Sequence, residues 1–367
     1  MNKIKVLEVI SSLEPTGGGE TFAVNLSREL SELVELKVVI LYKNNKSFFI
    51  NRLKEKNIDF EILDKRKHFD RNNFKQLGKI INCFEPNVIH TENNALIPVF
   101  FALKSFESRK KPYVFHTMHL EPKDECSNSL VRLLYKHILQ KKQFVPVAIS
   151  EKLATVSSNY YKIKKVPYIN NGVDLEPFSS KKSIIDRQYD IVVVGRFSKQ
   201  KNHKFLLNVF SKLQTIHHDI RIVLVGGGEL FDETKDLAKT LGLSNNIEFT
   251  GILDSPAPFV NNSKIILLGS LFEANPLSLL EGMSSGCIVV SSNVGGIQDI
   301  IKEGKNGFLL PINDELAFTT TIDNILKNVD KFSSMSESNV IYSKNFSMKE
   351  CANKYLSLFC KVMGGKR

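Results

Sequence analysis

The chain has 367 residues, with 50 Lys+Arg against 39 Asp+Glu, a formal net charge of +11 and 42% hydrophobic residues. That apolar content can bury real cores, so a largely disordered chain is excluded, and the length suits two domains better than one. The positive excess narrows the partners to a nucleic acid, an acidic small molecule or an anionic membrane surface.

The opening segment, MNKIKVLEVI, alternates like a strand and lacks the long apolar centre of a signal peptide. Short β-branched runs then alternate with longer amphipathic ones. Strands are expected at 5–10, 36–42, 88–90, 113–117, 145–149 and 166–169, and again at 190–195, 221–225, 247–250, 264–268 and 288–291. Helices are expected at 20–33, 205–214, 233–241 and 346–363. Near-continuous apolar strands between helices indicate parallel sheets covered on both faces. The fold class is therefore α/β, with two doubly wound, Rossmann-like domains that bind ligands at the carboxyl ends of their strands. The polar stretch 177–189, opening on Pro177, marks the boundary. Domains are placed at 1–178 and 179–345, with a final helix in 346–367 that either caps the second domain or crosses back to the first.

Five cysteines, Cys83, Cys126, Cys287, Cys351 and Cys360, are odd in number and contain no C-x-x-C pair. Neither a disulfide framework nor a zinc site is indicated, and a reducing cytoplasm fits best. The longest apolar run, Ala95 to Leu103, is nine residues, about half of the roughly 20 needed to cross a bilayer.

Several strand ends carry residues suited to chemistry. The first strand leads into Gly17-Gly18-Gly19-Glu20 ahead of a helix, where backbone amides could approach a phosphate or simply make a tight turn. His116 and His119 end another strand; with no third ligand nearby, a polar contact to substrate or a hydrogen-bonded surface histidine is a better reading than metal. In the second half, Gly195-Arg196 ends a buried strand and Lys201 follows, a pair of cations able to converge on one anion. Gly226-Gly227-Gly228 ends the next strand. Further on, Glu273 and Glu281 flank Pro276, which suits a first helical turn. Free amides from Asn275 to Ser278 would then hold an anion, and the carboxylates would accept hydroxyl hydrogen bonds. No Asp-x-Asp occurs.

Together these residues resemble the retaining GT-B glycosyltransferases of family 4, the group 1 type found in bacterial polysaccharide and glycolipid synthesis. The matching positions run in order: Gly17 to Glu20, Thr117-Met118-His119, Ala148 to Glu151, Asn171 to Asp174, Gly195-Arg196 through Lys201, Val225 to Gly228, Thr250-Gly251, Glu273 through Glu281, and Gly295-Gly296. The resemblance implies two Rossmann-like domains facing a central cleft and a nucleotide-diphosphate sugar, UDP-sugar favoured, as co-substrate. It implies no resident cofactor and no metal.

By the same resemblance, Arg196 and Lys201 bind the diphosphate, Glu281 the ribose, and Glu273 hydroxyls of the donor sugar. Asn275, Leu277 and Ser278 help at the phosphates, Gly195 ends the phosphate strand, and Thr250 and Gly251 lie near the base. Gly17 and Gly18 approach the phosphates from the first domain, and His119, preferred over His116, sits beside the reacting sugar. Asn202 and Asn275 depart from the residues most frequent in the family at their positions. The acceptor is expected to be a glycan or lipid-linked hydroxyl, and the location cytoplasmic or peripheral on the inner face of the plasma membrane.

The rivals are a nucleotide-binding oxidoreductase, which would want G-x-G-x-x-G after the first strand, and a GT-B-like sugar-nucleotide epimerase or hydrolase. Nucleic acid has no recognition fold or aromatic basic stripe to support it. Residues 1–180 hold 28 Lys+Arg and 20 Asp+Glu, and residues 104–165 alone hold 13 and 5. That region contains an amphipathic segment with Arg132, Lys136, Lys141 and Lys142, read either as a core-packed helix with a solvated face or as a contact for an anionic inner leaflet.

Overall fold

The computed structural model describes residues 3–13, 18–42, 47–63, 71–108, 111–125 and 128–364. The chain forms two compact units, Met1–Gly172 with Met348–Arg367, and Val173–Ser347. Val173 and Phe178 are buried in the second unit's core, so the chain changes unit at Gly172, ahead of the polar stretch 177–189.

The first unit holds a six-stranded parallel sheet of β1 (Lys5–Ile10), β2 (Glu35–Ile40), β3 (Asp59–Ile62), β4 (Val88–Glu92), β5 (Tyr113–Met118) and β6 (Phe144–Ala148). Its strand order is β3-β2-β1-β4-β5-β6. The second unit holds β7 (Tyr189–Val194), β8 (Ile222–Val225), β9 (Ile247–Gly251), β10 (Ser263–Leu268), β11 (Ile288–Ser292) and β12 (Phe308–Leu310), in the order β12-β11-β10-β7-β8-β9. The order reverses between β1 and β4 in one sheet and between β7 and β10 in the other, the points where such sheets open a crevice at their carboxyl ends.

The runs make these strands because both faces of each sheet are covered. In β7, Ile191 and Val193 join one apolar cluster with Phe205, Phe210 and Phe318, whereas Val192 joins another with Leu280 and Ile297. Alternate side chains point to opposite faces, and each fully buried Leu, Ile, Val or Phe stabilises the fold by about 1.5–3 kcal/mol.

Segment 166–169 is not a strand. It makes only an isolated bridge between Ala148 and Tyr168, because Pro167 brings no N–H to a ladder. Two edge strands escaped the pattern: β3, whose DFEI is largely exposed, and the three-residue β12. The final helix, Met348–Gly364, belongs to the first unit and buries Cys351, Ala352, Tyr355 and Phe359. Its Tyr355 ring lies 6.3 Å from Phe22 of the helix Gly18–Leu33. No helix among the described residues is long and apolar enough to cross a membrane.

Candidate functional site

In the second unit the residues singled out from sequence gather at the β7/β10 reversal. Lys201 follows β7 and Glu273 follows β10, and their side chains form an ion pair at 2.5 Å. Glu273 is 5% exposed and also accepts a 2.6 Å hydrogen bond from the Ser270 hydroxyl. A buried carboxylate needs such partners, because leaving it unpaired would cost several kcal/mol. Lys201 has three donor hydrogens, so it can hold Glu273 and still offer N–H groups to a ligand.

The loop carrying Lys201 is fixed on both sides. Asn202 adopts a left-handed conformation, φ 57°, and its amide donates to the Gly269 carbonyl and the Asn313 side chain. Asparagine tolerates that conformation, which accounts for a residue other than glycine here. His203 stacks flat on Phe197 with ring centroids 4.1 Å apart. Burial, with the Lys201 charge adding, pushes the His203 pKa down to about 4, so the ring is neutral at pH 7.

The glycines are packing devices. A Cβ on Gly226, at φ +139°, would run into the Gly195 carbonyl, and one on Gly195 would press on the Lys201 stem. Gly226 N–H donates to Gly251, Gly195 N–H to Val225 and Phe197 N–H to Gly227, tying together the ends of β7, β8 and β9. Thr250 is half-buried, with its hydroxyl on the Gly251 carbonyl, and Ile252 beside it is 50% exposed. Gly295, at φ +56°, packs its α-carbon against the Glu273 backbone, where a side chain would clash with the Glu273 carbonyl, and Gly296 N–H donates to that same carbonyl. The Gly295-Gly296 pair therefore braces the loop that presents Glu273.

Arg196 is exposed and pairs with Glu229 at 3.3 Å, both side chains more than half open. Pro276 is the N-cap of the helix Leu277–Ser284 rather than part of its first turn, and no side chain caps the helix. The amides of Leu277 and Ser278 lie in the first turn, where no intrahelical acceptor exists. Asn275 is buried just before it. Glu281 is buried within the helix, and burial, with Asp174 adding, pushes its pKa up to about 7.

The first unit places a different set at the β1/β4 reversal. Gly17 lies outside the described residues. Gly18 begins the helix Gly18–Leu33, exposed and with open space at its Cβ position, while Gly19 approaches the Asn93 side chain closely. Asn93 in turn donates to Glu20 at 3.3 Å.

His119 is half-buried and bonds Glu92 of β4 at 2.6 Å, with its ring edge-on to Phe22. Burial works to lower the His119 pKa, but the Glu92 charge and hydrogen bond outweigh it and the net direction is upward. His116 is fully buried, with its nitrogens engaged by Thr91 and Glu125.

Glu92, which the motif pattern did not single out, belongs to a larger buried network. His90 donates to Glu8 at 2.8 Å and meets Thr117 at 2.7 Å, and Thr117 meets Tyr355 of the final helix at 2.9 Å. Burial raises the Glu8 pKa against the lowering pull of His90. Glu8, His90 and Glu92 bring one ligand atom each within 4.8 Å of one another, a spacing that could hold a metal ion. As bonded here, however, both His90 nitrogens are already used. The sequence signal for this network was charge inside otherwise apolar strands, KVLEVI and VIHTE.

Two Rossmann-like units, each built on a six-stranded parallel sheet, place the chain in the GT-B fold class. Two family descriptions meet within the chain: Glycosyltransferase Family 4 matches residues 16–177 and Glycosyl transferases group 1 matches residues 176–340. The chain belongs to the group 1, family 4 glycosyltransferases.

An uncharacterized glycosyltransferase of Methanocaldococcus jannaschii is 24% identical over 59% of this chain and 57% of its own length. The Escherichia coli UDP-Gal:alpha-D-GlcNAc-diphosphoundecaprenol alpha-1,3-galactosyltransferase is 26% identical over 68% of this chain and 65% of its own length. The chain thus spans under two thirds of the length of these two relatives. The crystal structure of Anabaena HepE in complex with UDP and glucose superposes with TM-score 0.82 at 18% identity, covering 97% of this chain and 99% of that one.

Proposed function

We propose that this protein is a retaining, metal-independent glycosyltransferase that moves a sugar from a UDP-sugar to a hydroxyl of a glycan or lipid-linked acceptor. The observation that carries the reading is the Lys201–Glu273 pair at the β7/β10 reversal, beside the uncapped helix start at Leu277. In this reading the second unit holds the donor. Lys201 and Arg196 bind the diphosphate with the amides of Leu277 and Ser278, while Glu273 accepts hydroxyls of the sugar and Glu281 those of the ribose. Gly195 keeps the strand end slim, Asn275 shapes the sugar side, and Thr250, Gly251 and the exposed Ile252 lie by the base. Gly18 adds an amide from the first unit, and His119, raised in pKa by Glu92, supplies a polar group at the reacting sugar.

The bond between the sugar anomeric carbon and the diphosphate breaks as the acceptor oxygen bonds to that carbon on the same face. The acceptor's proton passes to the leaving phosphate oxygen. Negative charge grows on that phosphate, and cations with preorganised amides stabilise it in the transition state. The two carboxylates are ligand-holding groups in this account, not the acid–base pair of a glycosidase.

The galactosyltransferase relative takes UDP-Gal and a diphosphoundecaprenol-linked acceptor by its name, which favours the same donor and acceptor classes here. The test is transfer to a diphospholipid-linked sugar in the presence of EDTA, with the product's anomeric configuration read by NMR. Transfer with retention is expected; inversion, or a strict need for added divalent metal, overturns the mechanism.

A further inference from the structure

The helix Ser129–Leu139 has two apolar faces where one would serve the fold. Tyr135, Ile138 and Leu139 are buried and dock it on the first unit. On the other side Leu130 is 74% exposed and Leu133 65% exposed. Together with Leu134 and His137 they follow an i, i+3, i+4, i+7 spacing, one continuous stripe along the helix. These residues, with Lys136 and Gln140, line a surface groove of about 530 Å³. A helix whose only task was packing inward would carry polar side chains at 130 and 133.

The charges within the helix and the two residues that follow its cap have one sign. Residues 129–142 contain Arg132, Lys136, Lys141 and Lys142 and no Asp or Glu. Lys141 and Lys142 are exposed just past the helix, and Arg132 and Lys136 are half-buried along it. Such stems can lie along apolar surface while their charged heads reach outward. A second copy of this chain would set this cationic face against itself, since a two-fold interface pairs a patch with its own image. An anionic bilayer is complementary on both counts, taking leucines between its headgroups and cations at its phosphates.

We propose that the face of helix Ser129–Leu139 bearing Leu130 and Leu133 docks the protein on an anionic lipid bilayer. Its use, bringing the first unit to a lipid-linked acceptor, rests on the function proposed above, whereas its geometry does not. Each basic residue near such a surface strengthens binding about fivefold, and the leucines add the apolar part.

The test is co-sedimentation of the full chain with vesicles of phosphatidylglycerol in phosphatidylcholine, and with pure phosphatidylcholine. Binding is expected to the anionic vesicles alone and to weaken as salt is raised. Leu130→Gln with Leu133→Gln, and separately Lys136→Glu with Lys141→Glu and Lys142→Glu, should each lower the bound fraction at least about fivefold. Both variants should melt like the wild type and transfer sugar normally to a water-soluble acceptor. Equal binding to both vesicle types, no binding to either, or binding untouched in both variants overturns the proposal while leaving transferase activity standing. Absence of transfer by the wild type to any soluble acceptor, with vesicle binding intact, would instead count against the proposed function.

Discussion

The two sheets share a topology and differ in how they hold their polar groups. At the β1/β4 reversal the polar groups are internal: Glu8, His90, Glu92 and Thr117 are fully buried and bonded to one another, and the network emerges only at half-buried His119. At the β7/β10 reversal they open outward, with exposed Arg196, partly exposed Lys201 and an uncapped helix start. The same crevice-forming architecture can thus hold one reactive group rigidly or present several groups to an anion. Which it does depends on whether charges lie within the strands or just beyond their ends.

The contrast is easiest to break at Lys201. Lys201→Ala should lower turnover about 10²–10³-fold and also lower the melting temperature, because it strips buried Glu273 of its cation. Lys201→Arg should recover the melt more than the rate. Arg196→Ala, at an exposed pair, should change stability by less than about 0.5 kcal/mol. Rapid-quench assays and calorimetric melts together separate these outcomes, and near-normal turnover in folded Lys201→Ala would remove the lysine from the chemistry.

Gly295→Ala comes next. It places a side chain at φ +56° against the Glu273 carbonyl, and should cost about 2–3 kcal/mol in denaturant unfolding. Unchanged stability would mean the loop bearing Glu273 is not braced as described.

In the first unit, Glu92→Gln should lower kcat about tenfold, part of what a positioned acid–base group supplies. The limb of the pH–rate profile belonging to His119 should move to lower pH, since the Glu92 charge is what raises that pKa against burial. A lowered rate with an unmoved profile would make Glu92 merely structural.

The effect at Glu281 is read only as a function of pH. Its folded pKa of about 7 lies above the ordinary 4.5, so the folded chain holds a proton that the unfolded chain releases as pH rises from about 4.5 to 7. This group's stabilising contribution, on the order of 3 kcal/mol, is therefore present below about pH 4.5 and lost by about pH 7. Glu281→Gln should flatten that part of the stability curve, and wild-type donor affinity should tighten as pH rises through 7. Identical pH curves for both proteins would contradict the assignment.

The fold was legible because parallel strands buried on both faces spell themselves in β-branched runs. The short edge strands β3 and β12 were not, since an exposed edge needs no apolar run. Among site residues, those announced by glycine turns or by cations beyond a strand end could be read locally, Lys201 and Gly195 among them. Pairings across the sheets could not. His119 and Glu92 are 27 positions apart, Lys201 and Glu273 72, and His90 and Glu8 82. What sequence did offer was the oddity of Glu8, His90 and Glu92 inside apolar strands. The two histidines illustrate the limit: the resemblance prefers His119 to His116, but only the structure shows that His116 is fully buried while His119 is half-buried.

The central claim, that the second unit holds a nucleotide-diphosphate sugar, is tested most directly by calorimetric titration of the full chain with UDP-, GDP- and ADP-sugars. The account predicts saturable binding of a UDP-sugar, insensitive to EDTA, and weakened at least about tenfold in folded Arg196→Ala. Absence of binding by every donor at millimolar concentration, or equal affinity in the wild type and Arg196→Ala, would contradict it.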